Sequence, residues 1–455
     1  MVATHDEVGT LLDRVLAHAS ADATEVIYFG QDAALTRFAT NRIHQNMLEH
    51  DASLQVRVID GERVGVAATN RLDEAGIRAM VERAAAIAER SEPNPRASVL
   101  VEPDGREHDA EVGFVAATAE ADPELRAAGA RAVIAAGLAG GLESSGSFST
   151  GVSTVAVANS LGVRRMHRAT RAALLTVMMD GFASGAASGY ANAGSPDVSD
   201  IDAEALGAEA AGKADAMRGA EAIEAGEYEV ILEEYAVAGL LEYLAFIGFS
   251  GLALEEGRTF MELGKQVMGP NVSIWDDGAD PSGLPMPIDF EGAVRQRVDL
   301  IRDGIATAVV HDAATGARAG TGTTGHGLPA PNTFGPMPLN VFMAPGTTPR
   351  DELIGSVTRG IWVTRFHYIN PVHPKKAILT GMTKDGTFLI EDGRLSRPLL
   401  NFRFTQSIPE AFSDVRAASR ETKLLPGEFA GGYRAPALHL GSFNFTGVTA
   451  AEGTA

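Results

Sequence analysis

Cysteine is absent from all 455 residues. That absence excludes disulfides, thiolate zinc sites, iron–sulfur clusters and cysteine nucleophiles from the chain. Positive charge is also scarce: 38 Lys and Arg face 59 Asp and Glu, for a formal charge of −21. Such a balance repels a phosphate backbone, so nucleic acid is not an expected partner, and the acidic residues read as a solvated surface. No stretch approaches the roughly 20 consecutive apolar residues that span a bilayer, so no membrane partner is expected. The first residues, Met1 to Glu7, lack a basic segment followed by an apolar run. No targeting signal is indicated and cytoplasmic residence is the default expectation.

The length exceeds one ordinary core, and 45% hydrophobic residues fit a packed protein of two or three domains. Val8, Leu11, Leu12, Val15 and Leu16 recur at helical spacing between Asp6 and Ser20. Glu25–Gly30 and Ala34–Phe38 read as strands. Ser53–Val58 and Arg63–Ala67 read as a hairpin turning at Asp60-Gly61, and Asp73–Arg90 as a second helix. The breaker Ser91-Glu92-Pro93-Asn94-Pro95 ends a first α+β unit, residues 1–95. A second unit, residues 110–222, holds helices over Glu124–Leu138 and Asp202–Ala220. Its strands are Ser147–Asn159 and Ala169–Asp180, and the Gly-, Ala- and Ser-rich run Gly181–Gly194 reads as a surface loop. From residue 223 to 455 the chain is punctuated by Gly and Pro and rich in short strands. Helices there are confined to about Val237–Phe246, Arg350–Ser356 and Pro409–Ala417. The expected fold class is α+β, an N-terminal region of mixed helices and strands followed by a β-rich C-terminal domain.

The common catalytic signals are missing. No His-x-x-x-His or His-Glu pair exists, and the closest histidine pairs, His44 with His50 and His367 with His373, are six positions apart. Ser144-Ser145-Gly146-Ser147 is not a nucleophile elbow. Gly320 to Gly327 lacks the Lys and the helix of a phosphate loop and reads as a glycine-rich substrate or interface loop. Neighbouring carboxylates such as Asp276-Asp277 and Glu255-Glu256 are ordinary in an acidic chain. No complete set of nucleophile, base and stabiliser emerges from motifs alone.

The segment Gly360-Ile361-Trp362-Val363-Thr364-Arg365-Phe366-His367-Tyr368-Ile369-Asn370, followed by Thr380-Gly381-Met382-Thr383-Lys384-Asp385-Gly386 and the run to Gly393, resembles the C-terminal region of the TldD/PmbA metallopeptidase family. Gln55-Val56-Arg57-Val58, Ala158-Asn159-Ser160-Leu161-Gly162 and Gly226-Glu227-Tyr228-Glu229-Val230-Ile231-Leu232 agree in the expected order. Asp289-Phe290-Glu291-Gly292 resembles the family's Asp-Asp-Glu-Gly stretch. Catalytic TldD-type members carry His-Glu-x-x-x-His on a helix soon after the Gly-x-Tyr strand. Here Glu242 stands where the first His would be, Tyr243 where the Glu would be and Ile247 where the second His would be. Ile247 has no lone pair and Tyr243 is a poor base at neutral pH.

The resemblance therefore implies the PmbA (TldE)-type subunit, with no catalytic or metal-binding residue and no cofactor of its own. It would pair in a heteromer with a TldD-type subunit that holds zinc. The pair would degrade unfolded peptides or remove leader peptides, gripping extended substrate by strand addition. Candidate residues for binding peptide or lining the chamber are Gly325, His326, Arg365, His367, Tyr368 and Asn370. The competing expectation is a peptide hydrolase active on its own through an unrecognised site, with His367 and His373 as the first residues to test.

Overall fold

The computed structural model describes residues 4–96, 99–181, 187–428 and 431–448. Helix α1 (His5–His18) begins with a capping box between Thr4 and Glu7. A six-stranded antiparallel sheet follows from β1 (Ala23–Ala39), β2 (Arg42–Asp60), β3 (Arg63–Thr69), β4 (Glu143–Asn159), β5 (Arg164–Met179) and β6 (Ser188–Ser195), in the order β3-β2-β1-β4-β5-β6. Strand β1 pairs with β4 from Glu25 to Phe38, so residues from both N-terminal units share one sheet. Four long helices cover it: α1, α2 (Glu74–Arg90), α4 (Pro123–Ala139) and α5 (Ala203–Ala216), with a single turn, α3 (Ala116–Ala119), before α4.

All four lie on one face. Val26, Tyr28, Leu54 and Ala156 pack with α1 and α2, and Phe38, Phe148 and Leu174 pack with α4 and α5. These strand residues are even-numbered, and side chains alternate along a strand, so the odd-numbered residues of β1, β4 and β5 face the other way. At one end that second face meets the C-terminal region. The Phe29 ring lies 5.9 Å from that of Phe290, and the buried Arg57 guanidinium joins Glu25 at 2.8 Å and Glu291 at 3.7 Å.

The C-terminal region, as expected, is dominated by strands. Strands β7 (Gly226–Leu232), β8 (Ile274–Asp276), β9 (Val298–Arg302), β10 (Ile305–Ala306), β11 (Asn340–Met343), β12 (Arg359–His373), β13 (Ile378–Glu391), β14 (Arg394–Pro398), β15 (Phe402–Ser407), β16 (Val415–Pro426) and β17 (Gly432–Val448) form an 11-stranded sheet. Within it β17-β15-β13-β12-β7 closes on itself, because β7 pairs in parallel with β12 and antiparallel with β17. Aromatic side chains fill the enclosed space: Phe366 and Phe404 ring centres are 4.6 Å apart, and those of Phe402 and Phe445 4.8 Å. Burying each such ring stabilises by roughly 1.5–3 kcal/mol. Helix α6 (Glu234–Ile247) is apolar nearly all round and correspondingly buried against this sheet.

Several sequence expectations change in detail. Glu25–Gly30 and Ala34–Phe38 are one 17-residue strand. Part of the run read as a surface loop is the edge strand β6, whose Ser188 to Ala191 are buried; residues 182–186 of that run lie outside the described residues. The helix expected over Pro409–Ala417 is one short turn, Ile408–Ala411, and the chain is a strand again from Val415. Among the described residues no helix is long and apolar enough to cross a membrane.

Candidate functional site

The most informative concavity is a cleft of about 70 Å³ between β6, α6, β12 and the connection from β16 to β17. Alternation along β12 explains its lining. Phe366 points into the aromatic core, so its neighbours Arg365 and His367 point outward into the cleft. Tyr190 and Asn192 come from β6, Tyr235, Glu242 and Tyr243 from α6, and Glu428 and Tyr433 from the opposite wall.

Arg365 is fixed from behind. Its Nε donates to Asp385 Oδ2 at 2.6 Å, and Ser188 Oγ donates to the other oxygen of the same buried carboxylate at 2.6 Å. The guanidinium lies 4.4 Å from the centre of the Tyr190 ring, which meets Tyr235 edge-on at 5.2 Å. Burial pushes the Tyr190 phenol up to about 12 against the opposing pull of Arg365, so it stays a neutral hydroxyl at physiological pH. The Tyr235 phenol is likewise raised by burial and by Glu209. The His367 imidazole is pulled below its ordinary value by burial and by the nearby Arg365 and Lys384 charges, so it is predominantly neutral at pH 7.

The α6 wall carries Glu242 and Tyr243, two positions at which the resemblance would place metal-motif residues in catalytic members. Glu242, 5% exposed, accepts a hydrogen bond from the Glu428 amide at 3.1 Å. The Tyr243 hydroxyl donates to the Ile369 carbonyl, and burial with two nearby carboxylates raises its pKa, which makes it less available as a base. Ile247 does not line the cleft; it is packed in the main apolar core. Tyr368 holds a left-handed φ of +51° where the β12–β13 register slips between His367 and Asn370. For a non-glycine residue this costs on the order of 1–3 kcal/mol. The conformation leaves the ring 71% exposed at the cleft mouth, 4.3 Å from His367.

Other sequence candidates fall elsewhere. Gly325 (φ +77°) is a tight turn where a Cβ would meet the Val294 carbonyl at 2.6 Å and the Arg295 backbone. His326 is fully buried, with Nε2 2.8 Å from Asp276 Oδ1, and does not reach the cleft. Burial and Arg295 lower its pKa against the opposing pull of Asp276. Asn370 is exposed and donates to the Tyr368 carbonyl, outside the lining. His373 sits on the exposed end of β12, where it pairs with Ile378 rather than approaching His367. Tyr190, Asn192, Tyr235, Glu428 and Tyr433 were not singled out from sequence. They come from four separate stretches, and only the tertiary fold converges them.

A buried ionic knot sits at the N-terminus of α6. Glu233 accepts hydrogen bonds from Lys213 Nζ at 2.7 Å, Arg350 Nη2 at 3.1 Å, Trp362 Nε1 at 2.6 Å and Thr364 Oγ1 at 2.9 Å. It ties α5 to α6 and β12 behind the cleft. Burial disfavours the charged carboxylate, but these cations and donors hold it down to about 2.

Zinc sites require three or four N, O or S ligands converging within about 2.0–2.3 Å. The cleft does not fit one: Tyr243 is committed as a donor to a carbonyl, and among the described residues no group of three or more His, Cys, Asp or Glu side chains is arranged to hold a metal.

Three models of one family cover the chain: PmbA/TldA metallopeptidase domain 1 over residues 25–88, the central domain over 113–218 and the C-terminal domain over 225–447. A metalloprotease TldD homolog of Haemophilus influenzae is 27% identical over 209 residues, which are 42% of this chain and 42% of that protein. A metalloprotease of Methanothermobacter thermautotrophicus is 24% identical over 230 residues, 49% of each. The match thus spans less than half of either relative. The crystal structure of TldE from Thermococcus kodakarensis shares the fold, with a TM-score of 0.86 at 20% identity over 97% of this chain and all of that one.

Proposed function

The chain belongs to the PmbA/TldA metallopeptidase family, and within it we propose the role of a non-catalytic partner subunit: it binds extended peptide beside a TldD-type subunit that supplies zinc and performs hydrolysis. The observation that carries this reading is the state of α6. The positions where a metallopeptidase helix would present its ligands hold Glu242, Tyr243 and Ile247, one accepting from a backbone amide, one donating to a carbonyl and one buried in the core. A zinc-bound water needs both ligands and a base, and this helix supplies neither.

What the cleft does offer suits binding. Neutral tyrosine hydroxyls, a braced guanidinium and an exposed aromatic ring at the mouth provide hydrogen bonds and stacking without a nucleophile. The overall process would be degradation of unfolded peptides or leader removal from modified precursors, in the cytoplasm.

The test is reconstitution. Purified chain is assayed on an unfolded peptide alone and mixed with a TldD-type protein bearing an intact His-Glu-x-x-x-His. Turnover only in the mixture, with co-elution of the two chains, supports the reading. Hydrolysis by the lone chain would refute it and transfer attention to His367.

A further inference from the structure

Most arginines of this acidic chain are paired with carboxylates, but two on one surface are not. Arg37 on β1 and Arg171 on β5 are exposed, and their side chains make no ion pair or hydrogen bond among the described residues. Both are odd-numbered, on the sheet face opposite the helices. Register places them: Arg37 pairs with Ser147 on β4, and Arg171 with Gly151 on the same strand. Between them lie Ser149 and Ala173, small and half-buried, so the floor is flat and accessible to backbone. With strands about 4.8 Å apart and about 3.4 Å per residue, the two Cα atoms are roughly 17 Å apart.

This floor continues into the cleft. Val177 on β5 pairs with Tyr190, which lies under Arg365, and Arg365 pairs across the ladder with Lys384, a third cation with no ion pair among the described residues. The C-terminal region covers the far end of the face at Phe29 and Arg57, and Glu49 and Asp51 stand at its β2 edge. The middle is open.

We infer that this open sheet face, from Arg37 and Arg171 to Lys384 on the ladder beside Arg365, binds an extended acidic peptide, whose carboxylates pair with the three cations while its backbone lies on the small residues between them. The inference rests on the peptide-binding role proposed above and adds the substrate class: unfolded segments carrying Asp or Glu. Extended peptide advances about 3.4 Å per residue, so carboxylates four to six positions apart match the Arg37–Arg171 separation.

The experiment measures fluorescence anisotropy of three labelled 12-residue Gly-Ser peptides bearing four Glu, four Gln or four Lys, titrated with the full chain. The Glu peptide is expected to bind about tenfold tighter than the Gln peptide at low salt, an advantage that fades as ionic strength rises. Substituting Arg37→Gln and Arg171→Gln together should weaken the Glu peptide about fivefold and leave the Gln peptide unchanged. The Arg37→Lys, Arg171→Lys pair should keep most of the preference, since charge is retained. Equal binding of Glu and Gln peptides would overturn the inference while leaving the peptide-binding role standing. A Glu preference untouched by the double Gln variant would also overturn it. Absence of binding by all three peptides would remove both the inference and the role it rests on.

Discussion

Replacing Glu233 by Gln removes one charge from the knot behind the cleft and little volume. The native carboxylate, 1% exposed, is held at about 2 against an ordinary 4.5 by Lys213, Arg350 and the donors Trp362 and Thr364. That difference of about 2.5 pKa units, at about 1.36 kcal/mol each, corresponds to roughly 3 kcal/mol at pH 7. Because the folded-state pKa is depressed, the contribution is fully present above about pH 4.5 and disappears as pH falls towards about 2. Gln can still accept from Trp362 and Thr364, but Lys213 and Arg350 keep their charges without a shared counter-ion. An unfolding entropy of about 2.1 cal/mol/K per residue converts 3 kcal/mol into a melting-point decrease of about 3 °C for a chain of this size. Scanning calorimetry of wild type and Glu233→Gln between pH 7 and pH 3 measures both features. A variant as stable as wild type at pH 7, or a deficit that does not shrink on acidification, would refute the assignment of Glu233 as a buried, charged anchor.

Asp385→Asn should leave an acceptor for Ser188 but release Arg365 from its ion pair; peptide affinity should fall about tenfold, with a stability loss of about 2–3 kcal/mol read by urea denaturation. Tyr243→Phe loses a hydrogen bond to the Ile369 carbonyl and should cost about 1 kcal/mol of stability while partner-dependent turnover persists, whereas a catalytic phenol would take turnover with it. Changing His367 and His373 together to Ala should leave partner-dependent proteolysis at least partly intact, because the two are on separate parts of β12 and His373 is outside the cleft; complete loss of turnover with normal assembly would count against a non-catalytic role.

The sequence and the structure agree where local periodicity and burial act together. α1 and α2 were legible because apolar residues recur at helical spacing between good caps, and α4 because its run is rich in alanine. Strand β6 was not. Its Ser-Gly-Tyr-Ala-Asn-Ala-Gly composition looks like a loop, yet small residues are what let α5 and Pro426 pack closely on it: a Cβ at Gly189 would sit 2.0 Å from the Ala210 carbonyl and one at Gly194 2.5 Å from Pro426. Arg365, His367 and Tyr368 could be picked out by resemblance, but Asp385 is brought to Arg365 by the β12–β13 pairing, and Ser188 and Tyr190 by β6 docking on β13. His326 misled because an exposed-looking glycine loop conceals a buried His–Asp pair with Asp276.

On the proposed function, this chain contributes no zinc site to a zinc-dependent peptidase. The most direct test is metal content by plasma mass spectrometry of the chain purified in excess zinc, alone and in complex with a TldD-type partner. The expected result is substoichiometric zinc on the lone chain and one zinc per partner subunit in the complex, unchanged by Glu242→Ala. One tightly held zinc on the lone chain would contradict it.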